Sequence, residues 1–254
     1  MPVPLTQISS RDNPLLKDLR KLSQDSTAYR KQAKVWLEGD HLCRAALARG
    51  LKPSLAVFAE SYLPVAPADC TRAAVKNIVI PDALFPEISS LESPSRMGFV
   101  LDLPGSTGVK TGSASVILDR LQDAGNVGAI LRSAAAFGFA QVIALKGTAA
   151  LWSPKVLRAG MGAHFGLHLV ESVEADALAG LGVPIVVTSS HHGSFLHQQV
   201  LPKPCAWAMG HEGQGVCDDV MALASLKVRI QQPGGEESLN VAAAAAICLY
   251  ASTL

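Results

Sequence analysis

Residues that could bind a phosphate group are concentrated between Leu118 and Ala134. A predicted strand ends in this segment, a Gly/Asn turn follows, and Asn126 is expected to cap the helix that begins there. Arg132 then projects from the second turn of that helix. Exposed N–H groups at a helix N-terminus attract anions, and a guanidinium forms bidentate contacts with phosphate. The segment therefore predicts an anion site, with a simple cap followed by a surface arginine as the alternative interpretation.

A glycine-rich loop at residues 210–215 follows a second predicted strand. Its glycines, at spacings of three and two, let the backbone approach a ligand closely. His211 or Glu212 could act as an acid or a base. Both could equally be loop residues whose neighbours bind through backbone groups, and for His211 this second interpretation is favoured.

The third segment that could carry chemistry runs from Lys227 to the alanine run at residues 242–246. It leads from a strand through a Pro-Gly-Gly loop to a helix that Ser238 or Asn240 could cap. Capping accounts for one of these two polar residues and leaves the other available for a ligand. The small alanine side chains would let the helix lie close to another backbone, inside the fold or across a dimer.

Short apolar runs that alternate with helical stretches must position these three segments. The runs cover residues 116–121, 141–145, 165–170, 184–188, 205–209 and 226–230. Such alternation predicts an α/β fold with crossover connections and a mainly parallel sheet covered by helices on both faces. Ligands bind such sheets beyond the carboxyl ends of the strands. The expected site is therefore formed by the loops after Leu121, Thr188, Met209 and Ile230.

The residues before this alternating pattern predict a separate, smaller α/β unit. Helices are expected at 14–23 and from about residue 40 to residue 48, and strands at 35–38, 55–59 and 77–80. A stretch rich in proline, glycine and small polar residues follows. The predicted organisation is an N-terminal domain at residues 1–105, a linker at 106–113 and a C-terminal domain at 114–254.

Positive charge is concentrated at the start of the chain. Residues 1–60 contain 10 Lys or Arg residues and 6 Asp or Glu residues, a net charge of +4, whereas residues 111–254 carry a net charge of −2. Phosphate contacts come from lysine and arginine, so this distribution suits the binding of nucleic acid. A solvated helix face would explain the charge nearly as well.

The composition argues against several classes of protein. A hydrophobic content of 49% with 17% charged residues indicates a folded globular chain. No apolar run reaches the roughly 20 residues that span a bilayer, so no membrane partner is expected. Five scattered cysteines without a C-x-x-C pair favour a cytoplasmic location, and they argue against a zinc site or a disulfide framework.

Taken in order, the three segments resemble the three motifs of the SpoU–TrmH branch of the SPOUT methyltransferases. The matches to N-x-G-A-I-x-R are Asn126, Gly128, Ala129, Ile130 and Arg132. The matches to G-N-E-G-x-G are Gly210, Glu212, Gly213 and Gly215, and those to S-L-N-V are Ser238, Leu239, Asn240 and Val241. Residues 153–163 also resemble this family. Residues 5–103 resemble its N-terminal RNA-binding extension, chiefly through residues 8–14 and 36–39.

The resemblance implies transfer of a methyl group from S-adenosylmethionine to a ribose 2′-hydroxyl of RNA, without a metal. It also implies a homodimer and a C-terminal trefoil knot, which is a rare exception among chain connections. By position in the motifs, the implied catalytic residues are Asn126, Arg132, Glu212, Ser238 and Asn240. The implied cofactor-binding residues are Thr188, Gly210, Gly215, Ile230 and Leu239.

Ribosomal RNA is the expected substrate, because an additional N-terminal domain suits a large and structured target. The alternatives are transfer RNA, an inactive RNA-binding relative, and an oxidoreductase that uses a nucleotide cofactor. The oxidoreductase is disfavoured because residues 125–128 give G-x-x-G in place of G-x-G-x-x-G. Lys146 also stands near the position where that fold has an acidic residue.

Two side chains, His211 and Arg132, complicate the roles that the resemblance implies. The family often has asparagine where this chain has His211, which would matter only if that side chain helps to hold the loop or the substrate. Arg132 occupies the position often described as the catalytic base, yet arginine side chains keep their proton across the physiological pH range. We therefore expect Arg132 mainly to clamp the phosphate beside the target ribose.

Overall fold

Two compact units make up the chain in the computed structural model, which describes residues 3–103, 105, 108–189, 193–234 and 238–254. The first unit contains Met1–Gly105 together with Trp152–Phe165. The second contains Ser106–Leu151 together with Gly166–Leu254. The sequence pattern does not indicate that Trp152–Phe165 belongs with the first unit, and the expected domain boundaries stay a prediction.

The described residues form strands and helices that alternate along much of the chain. The strands are β1 (Leu5–Gln7), β2 (Lys34–Glu38), β3 (Leu55–Ala59), β4 (Lys76–Ile80), β5 (Met97–Asp102), β6 (Ser115–Leu118), β7 (Gln141–Leu145), β8 (His168–Val173), β9 (Ile185–Thr188), β10 (Ser194–Phe195), β11 (Ala206–Met209) and β12 (Ala224–Arg229). The α-helices are α1 (Pro14–Gln24), α2 (Ala28–Gln32), α3 (Asp40–Ala48), α4 (Ala68–Ala73), α5 (Ala124–Ala136), α6 (Pro154–Gly160), α7 (Asp218–Ala222) and α8 (Val241–Ala251). Short 3-10 turns lie at Leu63–Val65, Asp82–Ile88, Ala163–Gly166, Ala175–Gly180 and Leu196–Gln198.

A mixed sheet with the order β1-β4-β3-β5-β2 forms the centre of the first unit. Strand β5 runs antiparallel to β2 and β3, whereas β4 runs parallel to β1 and β3. The predicted helix at 14–23 is present as α1, where the side chain of Asn13 accepts a hydrogen bond from the Leu15 N–H at 2.9 Å. The helix buries Leu16, Leu19 and Leu22. Each buried leucine contributes about 1.5–3 kcal/mol.

A seven-stranded sheet with the order β10-β12-β9-β11-β6-β7-β8 forms the second unit, and its strand pairings are parallel. The predicted α/β fold with a mainly parallel sheet is therefore confirmed. Its central strands are apolar and buried, as parallel strands covered on both faces must be. Trp207 in β11 is fully buried, and its indole N–H donates to Ser252 Oγ at 2.8 Å.

The structure corrects three local expectations. Strand β6 ends at Leu118 and not at Leu121, because the buried Asp119 and Arg120, whose φ is +58°, turn the chain there. The strand expected at 165–170 begins only at His168, after a 3-10 turn that ends at Gly166. Helix α5 begins before Asn126, because the Asp123 side chain supplies its N-terminal cap.

Candidate active site

Three chain segments surround a cavity of about 700 Å³ at the carboxyl edge of the seven-stranded sheet. They follow β9, β11 and β12, which is where ligands bind in parallel α/β sheets. The cavity is lined by Thr188, Ser189, residues 210–216, Met221, residues 238–241 and Ala244. Its volume lies within the range of roughly 300–1,000 Å³ that is common for small-molecule sites.

Most of the residues predicted for the site line this cavity. From the predicted cofactor set these are Thr188, Gly210, Gly215 and Leu239, and from the predicted catalytic set Glu212, Ser238 and Asn240. Asn126 is connected to them by hydrogen bonds. Ile230 directly follows β12 but is not among the described lining residues, and neither is Arg132, which is exposed on α5.

The loop from Gly210 to Gly215 is closed on itself by two backbone hydrogen bonds. The His211 N–H donates to the Gly215 carbonyl at 3.0 Å, and the Gly215 N–H donates to the His211 carbonyl at 2.8 Å. A Cβ atom on Gly210 would lie 2.2 Å from the carbonyl carbon of Gly215 and 2.2 Å from the Val216 nitrogen. Only glycine therefore allows the two ends of this loop to meet.

The side chain of His211 holds the tip of the same loop. Its Nδ1 atom accepts a hydrogen bond from the Gly213 N–H at 3.0 Å. An asparagine side-chain oxygen could accept the equivalent bond, so the exchange of asparagine for His211 preserves a local hydrogen-bonding role. The structure thus gives this side chain a function in shaping the loop.

A chain of hydrogen bonds joins the three predicted motifs. The Asn126 Nδ2 atom donates to Glu212 Oε1 at 3.2 Å, and the Asn240 Nδ2 atom donates to Asn126 Oδ1 at 3.0 Å. Asn240 Oδ1 in turn accepts from the N–H groups of Ala242 and Ala243 at the start of α8. Asn240 is therefore the cap of α8, which leaves Ser238 free of that role.

Glu212 is held in its ionised form by the groups around it. Burial acts to raise the pKa of its carboxyl group, but hydrogen bonds from its own N–H and from Asn126, Asp123 and Gln122 outweigh burial and lower that pKa below its ordinary value. A fixed negative charge at this edge of the cavity would favour substrate groups that donate hydrogen bonds.

Two residues that the sequence does not single out hold the glycine-rich loop and the residues after it through hydrogen bonds. Asp119 is buried, and its Oδ2 atom accepts a hydrogen bond from the Cys217 N–H at 2.6 Å. Arg120 donates to Asp119 Oδ1 at 2.9 Å and to Gln214 Oε1 at 2.9 Å. A buried carboxylate needs such partners. The only sequence signal for this role is an Asp-Arg pair directly after an apolar strand.

Arg132 is separate from the hydrogen-bonded residues. It follows Asn126 by six positions on α5, so the two side chains point in directions roughly 120° apart around the helix. Its side chain makes no ion pair or hydrogen bond with any residue that the structure describes. The guanidinium is therefore available for an anion that comes from outside this unit.

The cavity lining fits S-adenosylmethionine by its chemistry. The glycines offer peptide N–H and C=O groups without intervening side chains, while Leu239, Val216 and Met221 supply apolar surface for an aromatic ring. Within the described ranges, no three His, Cys, Asp or Glu side chains are grouped so that they could hold a metal ion. None of the helices described has both the length and the apolar character needed to cross a bilayer.

Sequence comparison connects the chain with RNA methyltransferases. A family model described as the SpoU rRNA Methylase family matches residues 113–250. The 23S rRNA (guanosine(2553)-2′-O)-methyltransferase RlmP of Bacillus subtilis (strain 168) is 28% identical over 250 residues, which cover 97% of this chain and 98% of that protein. The mitochondrial rRNA methyltransferase 3 of Homo sapiens is 35% identical over 160 residues, covering 58% of this chain and 37% of that protein.

Structural comparison gives a similar result over nearly the whole chain. The crystal structure of an AdoMet-bound rRNA methyltransferase from Sinorhizobium meliloti has a TM-score of 0.83 and 25% sequence identity, covering 98% of this chain and 97% of that one. The crystal structure of an RNA 2′-O ribose methyltransferase has a TM-score of 0.78 and 28% identity, with coverage of 97% and 98%. The similarity thus includes residues of both compact units.

Proposed function

This chain belongs to the SpoU rRNA methylase family, and we propose that it transfers a methyl group from S-adenosylmethionine to a ribose 2′-hydroxyl of ribosomal RNA. The observation that carries the proposal is the cavity at which the glycine-rich loop, Glu212 and Asn240 meet. The full-length similarity to RlmP favours ribosomal RNA over transfer RNA, because the name of that relative specifies 23S rRNA and the 2′-oxygen.

The proposed reaction needs two atoms to be held in line. The ribose 2′-oxygen forms a bond to the methyl carbon, the bond between that carbon and sulfur breaks, and the hydroxyl proton is lost to solvent or to a nearby phosphate. S-adenosylmethionine supplies a methyl group that its sulfonium charge activates. Asn126, Ser238 and Asn240 orient the ribose through their amide and hydroxyl groups, while Glu212 keeps Asn126 in place. Such alignment supplies much of the acceleration in enzymes.

Arg132 contributes by binding the phosphate next to the target ribose. Its exposed guanidinium has no partner among the described residues, and it can form a bidentate contact with phosphate oxygens. An arginine that keeps its proton serves better as a clamp than as a base. Arg132→Lys keeps the positive charge but cannot form the bidentate contact with phosphate. Near-normal turnover of this variant would therefore contradict the proposed role of Arg132 in binding phosphate.

The proposed active form is a homodimer with a trefoil knot in each C-terminal domain. The dimer is supported by α8, which leaves Ile247 and Tyr250 exposed at 41% and 53%. Helix α8 packs against α5, which carries Arg132 on its exposed side. The knot is supported by the chain order in the sheet, where β12 lies outside β9 while α8 returns to contact β11.

We assign residues 1–105 to RNA binding, residues 106–113 to a linker and residues 114–254 to catalysis. The net charge of +4 over residues 1–60 supports the first assignment. A cytoplasmic location would give the enzyme access to ribosomal RNA. Ile230 is kept in the proposed cofactor site as a backbone contact at the end of β12.

Transfer of radioactive methyl groups from S-adenosylmethionine to total RNA, fractionated by size, tests this function. The wild-type protein should label large ribosomal RNA, and Arg132→Ala should not. Label in the transfer-RNA fraction would support the proposed reaction but contradict ribosomal RNA as its substrate. An unlabelled RNA pool, from a protein that binds S-adenosylmethionine, would instead favour an inactive RNA-binding relative.

A further inference from the structure

A second cavity, of about 320 Å³, lies within the first compact unit. It is bordered by the end of β2, the start of α3, residues 90–95 and one side of α6. Its volume is less than half that of the cavity in the second unit. A single planar group the size of a nucleobase suits it better than a whole cofactor does, because small-molecule sites start at roughly 300 Å³.

The walls of this cavity are mostly apolar. Trp36 and Leu157 are almost completely buried, and Leu91 and Met161 add further apolar surface. Aromatic and aliphatic walls of this kind bind unstacked bases of single-stranded RNA. The same walls would accept other flat apolar groups, so shape by itself does not identify the ligand.

A carboxylate in the wall restricts the choice of ligand. Glu38 Oε1 accepts hydrogen bonds from Ser89 Oγ at 2.5 Å and from the Ser95 N–H at 3.2 Å. Among the described residues, Oε2 accepts a hydrogen bond only from the Ser90 N–H, at 3.3 Å. An ionised carboxylate has about four acceptor positions, so Oε2 retains capacity for a donor from a ligand. An apolar side chain placed here would cover the charge without pairing it, which is unfavourable.

A cation stands at the border of the cavity. Arg158 on α6 is exposed where it borders the cavity, and it forms no ion pair within the described ranges. The other carboxylate at the border, Asp40, is paired with Arg44 at 2.8 Å. The cavity therefore offers an acceptor position on Glu38 and a free positive charge at its border.

We propose that this cavity binds one unstacked purine base of the RNA substrate, with guanine preferred, at a nucleotide other than the one that is methylated. Guanine carries two adjacent N–H donors, at N1 and N2, and either of them can occupy the open acceptor position on Glu38 Oε2. Arg158 binds the phosphate of the same nucleotide. The inference rests on the proposed function only in taking RNA as the partner.

The test measures nucleotide binding to the full-length protein while the first cavity is blocked by saturating S-adenosylhomocysteine. Guanosine, inosine and uridine 5′-monophosphates are titrated and followed by tryptophan fluorescence and calorimetry. We expect the guanosine nucleotide to bind about tenfold more tightly than the uridine nucleotide, since hydrogen bonds to charged groups have this magnitude. Inosine monophosphate, which lacks the N2 amino group, should bind with intermediate affinity.

Three variants locate the binding within the cavity. Glu38→Gln should remove the preference for guanine, and Ser90→Trp, which fills the cavity from an exposed position, should abolish nucleotide binding. Arg158→Gln should weaken the binding of all three monophosphates by a similar factor. Arg49→Gln is the matched control, because it removes an exposed arginine of the same unit that does not border the cavity. Melting curves identify any variant that has lost its fold.

Equal affinities for the guanosine and uridine nucleotides would overturn the inference, and so would unchanged binding to a folded Ser90→Trp variant. Methyl transfer to RNA is measured on the same preparations. A wild-type protein that methylates RNA but binds no guanosine monophosphate contradicts only this inference. A protein that binds the nucleotide in this cavity and transfers no methyl group contradicts only the proposed function.

Discussion

Gly210 shows how one absent side chain determines the form of the active-site loop. The backbone of Gly215 and Val216 occupies the space that a Cβ atom on Gly210 would need. The reciprocal hydrogen bonds between His211 and Gly215 depend on this close approach. The loop is thus shaped before any ligand binds, which lowers the entropy lost on binding.

Gly210→Ala should therefore separate the two ends of the loop. We expect it to destabilise the protein by about 1–3 kcal/mol, the usual range for an overpacked site, and to weaken the affinity for S-adenosylmethionine at least tenfold. Calorimetric titration and urea unfolding measure the two effects. Gly213→Ala is the matched control for unfolding, since a Cβ there meets only the His211 ring, at 3.9 Å. Equal stability of the two variants would contradict the explanation.

Glu212 makes a contribution to loop stability that depends on pH. Its folded-state pKa lies below the ordinary value because of hydrogen bonds from its own N–H and from Asn126. The stabilisation is therefore present above the ordinary glutamate pKa and is lost as the pH falls through the folded-state pKa. The difference in melting temperature between wild type and Glu212→Gln should shrink from about pH 7 to about pH 3. A constant difference would show that this charge does not order the loop.

The sequence identifies the residues that line the cavity better than those that support it. Glycine spacing and polar residues at strand ends predicted Gly210, Glu212 and Asn240, because these types are rarely placed there for packing alone. The roles of Asp119 and Arg120 were not predicted, because they depend on a loop almost a hundred positions later in the sequence. No local pattern can indicate a partner at that distance.

Helix α5 carries the first motif, and α8 begins at the last residue of the third. Asn126 and Asn240 connect the two helices where both begin. Asn240 has two separate roles there, because its oxygen caps α8 while its amide nitrogen reaches Asn126. The prediction that capping would use one of Ser238 and Asn240 is confirmed. The cap expected of Asn126 was wrong, because Asp123 takes that role and frees the Asn126 side chain for Glu212.

Two substitutions separate the roles of Asn240. Asn240→Ala removes the cap and should cost about 1 kcal/mol in stability. Asn240→Asp keeps an oxygen for the cap but loses the donor to Asn126, so we expect near wild-type stability with at least tenfold slower methyl transfer. Urea unfolding and single-turnover methylation provide the two measurements. If Asn240→Asp retained full activity, the link between the helices would have no catalytic importance.

The bounds of the elements follow from the sequence where apolar runs are long and well capped. Strands β3 and β7 occupy the predicted residues, and α3 ends at Ala48 as expected. Strands β1, β5 and β10 were missed. The two residues of β10 pair with β12 at the sheet edge and carry too little pattern to stand out. The membership of α6 in the first unit depends on packing between distant segments, which periodicity does not report.

At the scale of the whole molecule, the outer surface of α8 is the feature that most needs a partner. Its sequence is apolar on all sides, and Ile247, Tyr250 and the nearby Leu254 remain exposed in the single chain. Apolar patches of this kind on a soluble protein commonly mark interfaces. The homodimer proposed from the family resemblance would cover them.

Ile247→Asp should consequently give a monomer with reduced methyl transfer. A charge in the centre of an apolar interface stays unpaired, which disfavours association. Light scattering coupled to size exclusion measures the mass in solution. Val200→Asp is the control, because Val200 is 95% exposed and lies outside α8. A dimeric Ile247→Asp variant would place the interface elsewhere.

The length of α8 has a thermodynamic consequence. Its 11 residues span about 16 Å, with Asn240 beside the cavity at one end and Tyr250 on the outer surface at the other. A partner subunit that holds α8 in place also holds Asn240 in place at the cavity. Association and ligand binding therefore become linked equilibria. By reciprocity, the ligand must then strengthen association by the same factor. Dilution would lower the affinity of each chain for S-adenosylmethionine, and saturation with that ligand would hold the subunits together at lower concentrations.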